Sequence, residues 1–73
     1  MYEVINSNVR CKNGKGNDTG FRLCDVAKIQ PMKGGVVITF LDDFGNQWKD
    51  VMRVPYRELL VVWQEFLDGL EQG

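Results

Sequence analysis

Histidine is absent from the 73-residue sequence, which removes the commonest general base, the Ser-His and Cys-His nucleophile pairs and the commonest metal ligand together. The thiols are Cys11 and Cys24. Cys11 stands between Arg10 and Lys12, and nearby positive charge favours a thiolate; a strand-end thiol flanked by solvated bases is the plainer reading. Two thiolates without imidazole do not fill a four-ligand zinc site, so neither metal nor other cofactor is expected. Asp42 and Asp43 are adjacent, with Asp50 on the following strand. A carboxylate acid–base pair needs one member raised by burial, and a polar hairpin gives little, so these residues are read as turn formers.

Three short motifs fail on spacing. Gly14-Lys15-Gly16 has the composition of a phosphate loop, but neither the P-loop nor the dinucleotide fingerprint is present and no strand feeds a helix from it. Lys15 also stands where a calcium loop needs an oxygen ligand. Asp43-Phe44-Gly45 spells the magnesium-binding tripeptide of protein kinases without the nucleotide loop or lysine strand that gives it meaning. The chain is therefore expected to be non-enzymatic.

The elements that hold these residues follow from periodicity. Over Pro55 to Leu70, Tyr56, Leu59, Leu60, Trp63, Phe66, Leu67 and Leu70 recur at intervals of three and four, one stripe of a helix at about 100° per residue. Pro55 suits the first helical position, Glu58 favours the first turn, and Gly69 and Gly73 predict fraying at the end. Ahead of the helix, Tyr2–Asn6 reads as a short strand, extended by Val9 and Cys11 after an irregular Asn6-Ser7-Asn8. Residues 12–20, with three glycines and two asparagines, read as an exposed mobile loop. Phe21–Gln30 alternates, with Phe21, Leu23, Ala27 and Ile29 on one face. Val36–Leu41 is apolar at nearly every position, the pattern of a central strand. Asp42–Asn46 reads as a hairpin connection, and Gln47–Val54 places Trp48, Met52 and Val54 inward. The expectation is one domain over residues 1–73, of α+β class: an antiparallel meander of three or four strands with the amphipathic helix packed on it.

An apolar fraction of 44% with eight aromatics supports a core. No run approaches the roughly 20 apolar residues that span a bilayer, and the N-terminus has no signal-peptide pattern. A cytoplasmic location is expected, with both cysteines reduced; a Cys11–Cys24 disulfide is the alternative. Formal charge is −1, yet residues 1–33 carry six bases against three acids and residues 34–73 three bases against seven acids, which predicts a basic and an acidic end.

With catalysis set aside, three readings remain. The first is a regulator or inhibitor that occupies a surface of a larger protein, using the basic residues Arg10, Lys12, Lys15, Arg22 and Lys28, with Val61 as an apolar residue on the polar side of the helix and the Tyr2–Asn6 edge open to strand addition. The second is a small nucleic-acid-binding regulator in which Phe21 stacks bases among the same cations. The third is an accessory subunit or a homodimer that buries the sheet edge. Read as complete from its initiator Met, a chain of this size without catalytic residues resembles the small proteins with which phages take over host machinery. That resemblance is carried by size and style rather than by a motif. It implies a host protein as partner, with bacterial RNA polymerase the first expected, and hence a location in the host cytoplasm.

Overall fold

A computed structural model describes residues 2–72, with side chains for residues 2–70. The elements in order are β1 (Glu3–Ile5), β2 (Asn8–Lys12), β3 (Asp18–Arg22), a 3-10 turn (Leu23–Asp25), β4 (Val26–Met32), β5 (Gly35–Leu41), β6 (Gln47–Met52) and α1 (Tyr56–Gln72). The α+β class, the central position of β5, the β5–β6 hairpin and the C-terminal helix agree with the sequence reading. The strands form two antiparallel sheets of three, β1-β2-β3 and β4-β5-β6, where one sheet of three or four was expected.

Three local choices make the difference. Asn6 adopts φ 57, a left-handed conformation that asparagine tolerates, so Asn6-Ser7 becomes a tight turn and Val4 pairs with Val9. The glycine-rich loop is shorter than expected. Asn13 Oδ1 accepts from the backbone N–H groups of Lys15 at 2.9 Å and Asn17 at 3.0 Å, which closes a compact turn and releases Asp18-Thr19-Gly20 into β3. The strand expected over 21–30 is broken by the 3-10 turn, which carries the chain from the first sheet to the second. A bulge at Val26/Lys28 then turns Val26 inward and leaves Ala27, expected inside, exposed.

The sheets are sewn together where β2 ends. Arg53 N donates to Lys12 O at 2.8 Å, Gly14 N donates to Val51 O at 2.9 Å, and Asn13 pairs with Met52. Val9 and Cys11 of the first sheet thereby face Val36, Ile38, Phe40 and Met52 of the second, in one core with Leu23, Val26, Ile29, Val54 and Leu59. At Gly35 a Cβ would collide with the Met52 carbonyl, so the β5–β6 approach at that end requires glycine.

Helix α1 closes the core through Leu59, which is fully buried, while Tyr56, Val62, Trp63 and Phe66 pack against the cluster. The buried stripe is narrower than the predicted one. Leu67 and Leu70 are 39% and 62% exposed, and Val62 takes a place the sequence reading did not give it. The helix continues through Gly69; Gly73 lies outside the described residues. The indole Nε1 of Trp63 is buried, with no hydrogen-bond partner among the described residues.

Leu59→Ala leaves a cavity at the one described helix residue with no exposure and is expected to destabilise the domain by about 2–5 kcal/mol. Val61→Ala is expected to change stability by less than about 0.5 kcal/mol. Urea unfolding followed by far-UV circular dichroism checks both.

Candidate functional site

Strand alternation decides where the candidate residues point. On β2, Val9 and Cys11 face the core, so Arg10 and Lys12 face outward, with Arg22 of β3 on the same sheet. Each of these cations has an acid close by. Lys12 Nζ bonds Asp18 Oδ1 at 2.7 Å, Arg22 Nε bonds Asp25 Oδ2 at 3.0 Å, and Glu3 is paired in register with Arg10. The Lys12 hydrogen bond and charge hold the Asp18 carboxyl below its usual range, and Asp25 raises the Arg22 guanidinium further. Exposed pairs add little stability, but they leave this face close to electrical balance.

The other candidates lie elsewhere. Lys15 sits in the Asn13–Asn17 turn, Lys28 on the outward face of the second sheet and Val61, 54% exposed, on the outer side of α1. The basic residues expected to make one contact together are therefore divided, because the 3-10 turn moves the chain to another sheet between Arg22 and Lys28. Phe21 turns inward and meets Phe40 edge-on, with centroids 5.6 Å apart, so the stacking platform expected around it is not formed.

Both cysteines are free. Cys11 is 6% exposed, with Sγ 3.8 Å from Met52 Sδ. Burial, helped by the charge of Asp50, pushes its thiol up, and the bases beside it in sequence project from the opposite face, so the thiolate suggested by Arg10 and Lys12 is not favoured. Cys24 is exposed and donates to Asp25 Oδ1 at 3.8 Å.

Asp42 is a turn-former, as expected. Its carboxylate accepts from Phe44 N at 2.9 Å, Asn46 N at 2.8 Å and Asn46 Nδ2 at 3.0 Å, and these bonds, those from Asn46 foremost, hold its carboxyl below the usual range. Gly45 completes the turn at φ 86. The product is a fixed hairpin tip carrying Phe44, 90% exposed. Beside it Trp48, 47% exposed, stacks on Phe40 with centroids 5.5 Å apart, and Leu41 is 40% exposed on the other face of the hairpin. The sequence reading treated Phe44 as part of a turn; the missed signal was a large aromatic among Asp, Gly and Asn.

Among the described residues, no group of three or more His, Cys, Asp or Glu side chains is placed to hold a metal ion, and no helix is long and apolar enough to cross a membrane. No family model, curated protein or solved structure matches the chain.

Two outcomes are expected. A thiol reagent should add one label to the native chain, at Cys24, and two after denaturation, read by intact mass. Asp42 has a lowered folded pKa, so its contribution is present above the ordinary carboxylate pKa and fades as pH falls through the depressed value. Asp42→Ala should lower the melting temperature by a few degrees at neutral pH, and the gap to the parent chain should shrink in strong acid.

Proposed function

We infer that this chain is a non-enzymatic regulator that works by occupying a surface of a larger protein. The observation that carries the reading is the β5–β6 hairpin. A turn locked by the Asp42 carboxylate holds Phe44 almost wholly in water, and on the strand that follows a half-exposed Trp48 is braced by Phe40. Large aromatics are the usual anchors of protein interfaces, and holding one rigidly removes an ordering cost from binding. A small domain gains no core from an aromatic left in solvent.

The partner assigned first is bacterial RNA polymerase, in the manner of small phage-encoded transcription inhibitors acting in the host cytoplasm. That choice carries over the resemblance to small phage proteins, and the rigid aromatic hairpin tip is what supports protein recognition. The nucleic-acid reading has less support: the first sheet's Lys12 and Arg22 are already paired with carboxylates, and Phe21 is packed inside.

Binding to purified bacterial RNA polymerase, measured by biolayer interferometry beside promoter-directed transcription in vitro, tests the reading. The parent chain should bind and lower transcript yield. Phe44→Ala should weaken binding by roughly tenfold or more with an unchanged circular dichroism spectrum. No binding by the parent chain removes the polymerase assignment, and full binding by Phe44→Ala removes the hairpin. Steeply salt-dependent capture of generic DNA would move the function to nucleic acid.

A further inference from the structure

We propose that the outward face of the second sheet docks a carboxylate-rich segment of the partner protein, its acids meeting the lysines and its apolar residues the aliphatic floor. The inference rests on the reading of the chain as a protein-binding module and specifies the chemistry that one face recognises.

Register assembles this face from three strands. Lys28, Thr39 and Lys49 form one row across β4, β5 and β6, and Gln30, Val37 and Val51 form the next. Both lysines are exposed while Thr39 between them is 8% exposed, so the row is cationic at its two ends around a covered centre. Past Val51 the face deepens into a groove walled by the Gly14 turn, by Met32 at the end of β4 and by Lys33 of the β4–β5 turn. The Gly14 wall is fixed, because Arg53 Nη2 donates to Gly14 O at 3.1 Å and a Cβ on Gly14 would sit 3.0 Å from Val51 Cγ1. Lys15 rides on that turn.

The charge on this face is unmatched. Among the described residues Lys28, Lys33 and Lys49 form no ion pair, and no outward position of β4, β5 or β6 carries a carboxylate. The first sheet is built the other way, with an acid close to each outward cation. In a chain of net charge −1, a carboxylate-free face is a local excess of positive potential, and such a surface steers and selects a negative partner. A polypeptide fits better than a nucleic acid, because the floor is aliphatic (Val37, Val51, Leu41) and Phe40 and Trp48 project from the other side of the hairpin. Nothing on the face stacks a base.

The test is an NMR titration of the full chain with a short synthetic peptide alternating glutamate and leucine, a glutamine-for-glutamate version of it, and oligodeoxythymidine. The acidic peptide should shift the amides of Lys28, Thr39 and Lys49, and the glutamine version should bind about tenfold more weakly or less. Lys28→Glu with Lys49→Glu should abolish the effect, and the milder Lys28→Gln with Lys49→Gln should reduce it, both with the parent circular dichroism spectrum. No peptide binding, shifts confined to Arg10 and Lys12, or tighter binding of oligodeoxythymidine at this face overturns the inference. The polymerase assay separates the two readings. If the parent chain ignores polymerase while the acidic peptide binds here, the face stands and the polymerase assignment falls; if polymerase binding survives the double Glu variant, the face falls and the assignment stands.

Discussion

The contact on which the molecule depends is the seam between the end of β2 and the end of β6. Two backbone hydrogen bonds, Arg53 to Lys12 at 2.8 Å and Gly14 to Val51 at 2.9 Å, together with the Asn13–Met52 pairing, hold two small sheets face to face. Neither sheet of three strands buries an apolar face alone. The seam joins residues about forty apart in sequence, and its interior is filled by Cys11 against Met52. Gly35 belongs to the same arrangement, since any side chain there would drive β5 away from β6 exactly where β6 turns toward β2.

Once the seam is formed, the two outer surfaces have opposite characters. On the first sheet, Glu3, Asp18 and Asp25 answer Arg10, Lys12 and Arg22. On the second, Lys28 and Lys49 stand on either side of Thr39 with no acid between them. Charge is thus sorted by sheet face, a finer division than the two poles implied by the halves of the sequence. The β5–β6 hairpin adds the aromatic element at one end, and the Asp42 bonds that fix its tip also depress its carboxyl, so the residue that resembled half of a catalytic pair is a structural acceptor.

Elements with strong local signals were legible. Val36–Leu41 had to be a central strand, Asp42–Asn46 a turn, and residues after Pro55 a helix, because each depends on neighbours within a few positions. What escaped depended on distant partners or on a single backbone angle. Asn6 at φ 57 made a hairpin from what read as one irregular strand, and the Val26/Lys28 bulge exchanged Ala27 for Val26 in the core. The helix was legible as a helix, but which of Val62, Leu67 and Leu70 would be covered depended on where the helix lies against the sheets. The candidate residues followed the same pattern: exposure of Arg10, Lys12 and Lys28 was readable from alternation, whereas the Lys28–Thr39–Lys49 row exists only through pairing across three strands.

The buried indole nitrogen of Trp63 bears on how firmly the domain holds its helix. With no acceptor among the described residues, that donor withholds part of the gain that its ring provides, and α1 clasps the core below the strength its buried area allows. An oxygen acceptor supplied near Nε1 would tighten the clasp, and the reserve so gained would offset destabilising substitutions elsewhere in the domain.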